Sequence, residues 1–321
     1  RFLKAQPGEA MALNNMGAAY YQLGDYQKAL DLHLQSREIR KRGGDRRGEA
    51  SALNYAGVAW HKLGNTSKAL ESLRESLEIR RQTSDPQGEA ETLLNIAIVE
   101  RDSGSLEPSR TTLEAAMAIT ESFRARITDA GLRASYVGRV QETYASYVDV
   151  LMRLHAQSPE AGHDRVALQA AERTRARVLL ESLVETRDDI HHGADPALLE
   201  RERSLQQKIV WSPRLRCGCT ASGSAAAGQT GARKDLERLT AEYREVQAQI
   251  RTSGPRYAAL TQPEPLTAAR IQQEVLDDET VLLEFALGET QSWLWAVTTT
   301  AVISVALPAE RDLEAAALSL Y

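Results

Sequence analysis

Apolar residues recur at intervals of three and four along roughly the first 120 residues, which is the spacing of one face of an α-helix. In the first such segment, one stripe runs from Leu13 to Tyr20 and a second begins at Ala29. Gly24 and Asp25 interrupt the pattern between the two stripes. The sequence therefore predicts two helices joined by a tight turn.

This helical pair occurs three times, with a period of forty residues. The copies begin with GEAMALNNMG at Gly8, GEASALNYAG at Gly48 and GEAETLLNIA at Gly88. One pair cannot bury its own apolar face, whereas stacked pairs bury a continuous core. We therefore predict a mostly α-helical fold in which residues 1–122 form an α-solenoid of three helix hairpins.

The repeat resembles the tetratricopeptide repeat. The similarity lies in a small residue at Gly17 and an aromatic residue at Tyr20, followed by Gly24, Tyr26 and Ala29. The usual repeat has roughly 34 residues, and the longer period here is similar to a variant whose second helix is extended. This resemblance implies a concave groove, lined by the first helix of each hairpin, that binds a peptide or another protein.

The groove prediction concerns side chains on the first helix of each hairpin. Asparagine is central, because its amide can donate to and accept from a peptide backbone, and members of the long-period family carry Asn just before the small residue at the helix crossing. The candidate peptide-binding residues are Asn14, Asn15, Ala18, Tyr21, Gln22, Asn54, Val58, His61, Lys62, Asn95, Ile98 and Asp102. The alternative is that the asparagines bond to neighbouring groups inside the solenoid. If they bind a partner, Asn54→Ala should weaken capture and leave the melting temperature nearly unchanged.

Beyond Thr120 the helical period continues while the repetition fades. Residues 123–186 predict a degenerate hairpin that caps the array. Residues 187–265 predict a charged antiparallel hairpin of coiled-coil type, which a flexible loop rich in Gly, Ser and Ala interrupts at 211–233. That loop is either a genuine insertion or the product of a reading-frame error.

Near the end of the chain the pattern becomes that of strands. The segments VLLEF from Val281, SWLWAV from Ser292 and AVISVAL from Ala301 are short, apolar and separated by turn residues. This spacing predicts an antiparallel meander. The following segment, ERDLEAAALSLY, starts a helix.

Four segments resemble the region that leads into a CHAT domain, a caspase-like module that often follows tetratricopeptide repeats. They are AAERTRARVLLESL, DPALLERE, EVQAQIRTSGPRYAALTQPEPL and LLEFALGETQSWLWAVT. The resemblance implies that residues 266–321 begin an α/β domain. The core of that domain carries a His–Cys dyad, in which Cys is the nucleophile and His the base. Those motifs are expected beyond residue 321, so the chain is interpreted as a fragment truncated early in this domain and, as it stands, not an enzyme.

Composition narrows the function classes. The net charge is −5 and the sequence pI is about 5.8, so no global basic field indicates a nucleic-acid partner. No apolar run approaches the roughly 20 residues that cross a bilayer, so no membrane partner is predicted. Only two cysteines occur, which favours a reducing, cytoplasmic location. The chain begins at Arg1 rather than Met, so the sequence is also compatible with a signal peptide ahead of Arg1.

No motif predicts a cofactor or a metal. The stretch GSAAAGQT is similar to a phosphate-binding loop, but Gln229 stands where the lysine belongs and no strand precedes it. Cys217 and Cys219 are too few for a metal site of their own, and His191-His192 is remote in sequence. His33 occupies a core position that leucine fills in the later repeats, so we expect it to be packed.

These observations favour a protein–protein interaction scaffold, whose repeats bind a partner and couple it to a CHAT domain. The alternative is a fragment of an active cysteine peptidase whose repeats select its substrate. The sequence leaves the partner's identity and the oligomeric state open.

Overall fold

The computed structural model describes residues 6–124, 130–185, 195–210 and 266–319, together with most residues between 238 and 252. Contacts divide the chain into two units. One comprises Arg1–Phe123 and Arg139–Ala167, and the other comprises Arg124–Gly138 and Leu168–Tyr321. The predicted loop at 211–233, both cysteines and the His191-His192 pair lie outside the described residues.

The first hairpins follow one another without insertion. Their helices are α1 (Gln6–Gln22), α2 (Tyr26–Arg42), α3 (Arg46–Lys62), α4 (Thr66–Gln82), α5 (Pro86–Asp102) and α6 (Leu106–Arg124). The helices α7 (Ala130–Gln157) and α8 (His163–Glu185) come next. The prediction of a mostly helical solenoid built from hairpins is confirmed.

Each of the three hairpins turns at a glycine in the left-handed conformation. Gly24, Gly64 and Gly104 have φ values of 81°, 77° and 84°, a region that other residues rarely adopt. In the first two hairpins, the residue after the glycine caps the second helix: Asp25 accepts from the backbone N–H of Lys28, and Asn65 accepts from that of Lys68. The first helices begin at residues 6, 46 and 86 and the second helices at 26, 66 and 106, so the helix starts recur every forty residues.

Within a hairpin, the helices cross at small residues. A β-carbon at Gly17 would lie 2.7 Å from the imidazole of His33, and one at Gly57 would lie 2.6 Å from Leu73. Between hairpins, the second helix packs on the next first helix. Leu30 of α2, for example, joins a buried cluster with two alanines of α3.

A polar joint links each of the first two hairpins to the next. Asp45 caps α3 by accepting from the N–H of Gly48 at 2.9 Å, and its other carboxylate oxygen lies 3.0 Å from Arg40 Nη1. Asp85 caps α5 through Gly88 in the same way, with Arg80 Nη1 at 3.8 Å. The joint fixes where α3 and α5 start relative to the helix before them.

The second unit contains a helical pair. The helix α9 (Pro196–Val210) supplies Leu205, which packs against Tyr243, Val246 and Ile250. These three residues lie three and four positions apart, in a stretch that is helical wherever it is described. Apolar side chains of the two predicted hairpin segments therefore share a core.

The second unit also carries a small antiparallel sheet. A short helix α10 (Ala268–Arg270) is capped by the Thr267 side chain and continues as a π-helical turn through Ile271–Val275. The strands β1 (Leu282–Ala286), β2 (Ser292–Val297) and β3 (Val302–Leu307) follow in the order β1-β2-β3, and then α11 (Glu310–Leu318). The meander predicted for this region is confirmed.

The two faces of the sheet have different environments. Glu284, Trp295 and Trp293 point to one face and are buried. On the other face, Phe285 of β1 and Ile303 of β3 are about half exposed, at 47% and 56%. Both faces are largely apolar, and one of them is open.

Candidate functional site

The helices α1, α3 and α5 lie side by side, and each is the first helix of its hairpin. Their outward side chains fall at intervals of four, three and four residues, which places them on one face of each helix. We call this set the first-helix surface. It comprises Met11, Asn15, Ala18 and Gln22 on α1; Ser51, Tyr55, Val58 and Lys62 on α3; and Glu91, Asn95, Ile98 and Asp102 on α5.

Eight of the predicted binding residues belong to this surface. The exposed members among them are Asn15, Ala18, Gln22, Lys62 and Asp102. Half-buried members are Val58, Asn95 and Ile98. Tyr21 and His61 are half-buried one position before Gln22 and Lys62, at the edge of the surface.

Asn54 lies beneath the surface rather than on it, since its side chain is fully buried. Its amide Nδ2 donates to Glu91 Oε1 at 3.3 Å, and its Oδ1 accepts from Asn95 Nδ2 at 3.0 Å. Glu91 in turn accepts from Arg80 Nη1 at 3.3 Å. Asn54 therefore holds two residues of the first-helix surface in place from below.

Asn14 is engaged within its own hairpin. Its Oδ1 lies 2.9 Å from Nδ1 of His33, which is buried in the crossing with α1 and stacks on Tyr55 with ring centroids 5.3 Å apart. Burial lowers the pKa of His33 to about 4, so the imidazole is neutral at physiological pH. A neutral His33 donates through Nδ1 to Asn14.

Charged side chains form a ladder across three helices at one margin of the surface. Nε2 of His61 and Nε of Arg101 lie 3.0 Å and 2.8 Å from the two carboxylate oxygens of Asp102. Arg101 also reaches Asp149 of α7 at 3.4 Å, and Asp149 pairs with Arg153 at 3.0 Å. Burial alone would raise the pKa of Asp102, but the hydrogen bonds from Arg101 and His61 outweigh it and lower that pKa. The ladder ties α3 and α5 to α7.

Two carboxylates on the first-helix surface are paired with other side chains, whereas its lysine is not paired with a described carboxylate. Asp102 is paired within the ladder, and Glu91 accepts from Arg80 and Asn54. Lys62 is exposed, and no carboxylate among the described residues lies within 4.0 Å of its ammonium group. The surface thus presents one cation that is available to a ligand.

Sequence analysis missed four members of this surface: Met11, Ser51, Tyr55 and Glu91. Met11 is 57% exposed and Tyr55 is 37% exposed. The signal was available, because each lies four residues from a predicted position or forty residues from another member. The prediction was based on the asparagines rather than on the spacing of the whole face, so it omitted these four residues.

No metal-binding group of three or more His, Cys, Asp or Glu side chains occurs within the described ranges. None of the helices in that same part of the chain combines the length and the apolar character needed to cross a membrane. The chemistry available on the first-helix surface is therefore hydrogen bonding, apolar contact and one exposed cation.

Comparison with known proteins identifies the repeats. The family model of the tetratricopeptide repeat matches residues 8–82 and 48–122. A putative kinesin light chain from Podosopora anserina, with nearly identical repeats of this kind, is similar with a TM-score of 0.41 and 16% identity, over 76% of this chain and 97% of that chain. Aspartyl phosphate phosphatase F from Bacillus subtilis is similar with a TM-score of 0.43 and 15% identity, over 76% of this chain and 60% of that chain. No curated protein matches the chain.

Proposed function

Because residues 8–122 are tetratricopeptide repeats, a class typical of protein–protein interaction, we propose that this protein is a scaffold whose first-helix surface binds an extended segment of a protein partner. The observation that carries the proposal is the order of side chains across that surface. A column of apolar residues, Ala18, Val58 and Ile98, runs between two columns that are mostly polar. An extended peptide presents the same alternation of apolar side chains and polar backbone.

The amide column supplies the backbone contacts. Asn15 and Asn95 lie at the same repeat position on α1 and α5, and each amide offers both a donor and an acceptor. Packed helices lie about 8–10 Å apart, so α1 and α5 are separated by roughly 16–20 Å. An extended chain advances about 3.3 Å per residue, so roughly five or six partner residues bridge the two asparagines.

The apolar column sets the direction of the segment. Its side chains grow from Ala18 through Val58 to Ile98, so more room remains above α1 than above α5. A large apolar partner residue fits above Ala18, and a small one fits above Ile98. Lys62 adds a cation beside the middle of the segment, where a partner carboxylate gains a charge-assisted contact.

A displayed library of random peptides tests the proposal, because it samples partner segments of every sequence. Peptides selected on the immobilised chain are then bound to a double variant carrying Asn15→Ala and Lys62→Ala. We expect at least about a tenfold loss of affinity, equivalent to ~1.4 kcal/mol. The matched control carries Gln35→Ala and Lys41→Ala, which remove the same kinds of group from exposed positions on α2. Equal loss in both double variants, or no loss in either, would refute the assignment.

We further propose that the repeats act on a CHAT-like domain of which β1–β3 are the first strands. The segments that resemble this family support it, and so does the open apolar face of the meander, since exposed apolar surface marks a site of interaction with another element or partner. Hydrogen exchange of residues 282–307, measured with and without a selected peptide, tests the coupling. A change in exchange on binding is expected. Identical exchange with and without the peptide would show that peptide binding does not affect the sheet. In the peptidase alternative the repeats would select a substrate, and the expectation for this chain is that it hydrolyses none of the selected peptides.

A further inference from the structure

The helix α1 carries an apolar stripe on the side that faces away from α3. Its members are Ala12, Met16 and Ala19, spaced by four and three residues. Met16 is 49% exposed, and both alanines are exposed as well. The outer face of a terminal repeat is usually polar, so an exposed apolar stripe at this position indicates a surface that binds another element.

The same stripe exists in the later repeats, where it is buried. Forty residues on, Ala52, Ala56 and Ala59 of α3 are fully buried. Eighty residues on, Ile96 and Val99 of α5 are buried too. The sequence of α1 therefore carries the pattern of an interior face.

The second helix of the preceding hairpin covers this stripe in both cases. Leu30 of α2, with Leu34 beside it, packs on Ala56 and Ala59. Leu73 and Leu77 of α4 share a cluster with the corresponding residues of α5. The occupant of the stripe on α3 and α5 is thus an amphipathic helix with leucines three or four residues apart.

In α4, two basic residues at the end of the helix complete the contact. The Arg80 guanidinium lies where a β-carbon of Gly88 would be, and the next residue, Arg81, pairs with Glu89 at 2.8 Å. In α1 the corresponding Gly8 has nothing within 4 Å of its β-carbon position, and Glu9 is exposed. Glycine weakens a helix relative to alanine, and here it leaves a notch of the shape that an arginine fills elsewhere.

We propose that the open face of α1 binds the second helix of a further hairpin of this repeat type. Leucines of that helix cover Met16 and its stripe, one arginine enters the notch at Gly8, and the basic residue after it pairs with Glu9. In a second copy of this chain, the leucine faces of α2 and α4 are already covered by the first helix that follows each of them. On α6, Glu114 and Glu121 accept hydrogen bonds from Tyr147 and Tyr144 of α7.

An extended chain tests the proposal, in which a copy of residues 8–47 is placed directly ahead of Gly8. We expect backbone amides of α1 to exchange at least about tenfold more slowly than in the original chain, as those of α3 do, and the melting temperature to rise by at least about 3 °C. The matched control carries Leu30→Asp and Leu34→Asp in the added copy only, which lengthens the chain equally but removes the leucines. It should show neither change.

A second variant tests the notch at Gly8. Gly8→Ala should leave the melting temperature of the original chain unchanged or raise it, and lower that of the extended chain, where an arginine now lies over the glycine. Three outcomes overturn the proposal: α1 exchanges at its original rate in the extended chain, the added copy brings no gain in helix content, or Gly8→Ala acts alike in both chains. A fourth is a concentration-dependent dimer of the original chain that Met16→Glu dissociates, because the face would then belong to a second copy.

Discussion

The Arg80 guanidinium lies over the backbone of Gly88, in the space that a β-carbon at position 88 would fill. Arg80 is 3% exposed, and its Nη1 contacts Glu91 at 3.3 Å and Asp85 at 3.8 Å. Its Nε donates to the hydroxyl of Ser76 at 3.3 Å. One arginine thus joins the end of α4 to the start of α5, and it does so only because residue 88 has no side chain.

Gly88→Ala should therefore destabilise the protein. A methyl group at this position overlaps Arg80 and the carboxylate of Asp85, so the arginine leaves its buried contacts and the cap of α5 is disturbed. Removing a buried charged hydrogen-bond partner costs about 1–3 kcal/mol, which exceeds the gain of about 0.5–1 kcal/mol from replacing a helical glycine with alanine. Urea unfolding followed by far-UV circular dichroism measures the loss.

Gly8→Ala is the matched control, since the β-carbon there meets nothing within 4 Å. It should leave stability unchanged or raise it slightly. A double-mutant cycle with Arg80→Ala isolates the contact, because Gly88→Ala should cost much less once the arginine is gone. Equal losses for Gly88→Ala in both backgrounds would show that the joint does not depend on this pair.

Asn54→Ala should also lower stability, contrary to what the sequence alone led us to expect. The buried amide donates to Glu91 and accepts from Asn95, so its removal leaves a half-buried acceptor and a half-buried donor without this partner. We expect a loss of about 1–2 kcal/mol in the free energy of unfolding. Asn15→Ala, at an exposed position on α1, should change stability by less than about 0.5 kcal/mol. Equal stability of the two variants would contradict this assignment.

These two asparagines show what periodicity can and cannot predict. The spacing of Leu13 and Tyr20, and the glycine at 24, were sufficient for the hairpins and their turns, because both depend on local geometry. The burial of Asn54 depends on Glu91 and Asn95 of the next hairpin, and Asn95 lies forty-one residues on rather than forty. A one-residue offset on a helix moves a side chain by about 100°. Asn54 is therefore buried, whereas Asn95 lies half-buried on the first-helix surface.

The strands were predictable for a different reason. Short apolar runs separated by Gly288-Glu289 and three threonines specify a meander, and β2 has the bounds that its sequence predicted. That one sheet face would bury a glutamate was not predictable. Glu284 alternates with Leu283 and Phe285 in a run that is otherwise apolar, and its contact with Arg175 of α8, at 3.1 Å, is made by a residue more than a hundred positions away in sequence.

His33→Leu should reduce the sensitivity of the fold to acid. The pKa of His33 is about 4 in the folded state and about 6.5 when unfolded, so the unfolded chain binds the extra proton between these values. The contribution of neutral His33 to stability is therefore fully present above about pH 6.5 and is lost as the pH drops towards 4. The total loss is about 1–3 kcal/mol.

Leucine is the residue that the equivalent positions Leu73 and Leu113 carry, both fully buried, so the substitution fits the crossing. Unfolding free energies of the two proteins, measured from pH 8 to pH 4, give the difference directly. The two curves should run parallel above pH 7 and diverge below it, with the variant more stable in acid. Curves that stay parallel throughout would mean that His33 is protonated as readily in the fold as outside it.

Glu284→Gln should have its effect at the opposite end of the pH range. Burial raises the pKa of Glu284 to about 9, and the neighbouring carboxyl of Glu172 contributes to this rise, while the Arg175 guanidinium, 3.1 Å away, opposes the shift. Between the unfolded value near 4.5 and about 9, the folded state holds a proton that the unfolded state has lost. Stability therefore declines as the pH rises through this interval, by up to about 1.4 kcal/mol per pH unit.

Glutamine reproduces the protonated carboxyl in shape and keeps a donor towards Glu172, but it does not titrate. The variant should match the original protein near pH 5 and become progressively more stable than it towards pH 9. Tryptophan fluorescence during urea unfolding includes the signal of this sheet, through Trp293 and Trp295 beside Glu284 on the buried face. Glu284→Ala is the contrasting variant, because it removes the proton site but also leaves a cavity, and should be less stable than glutamine at every pH. A glutamine variant whose advantage does not grow with pH would show that Glu284 is ionised in the fold and paired with Arg175.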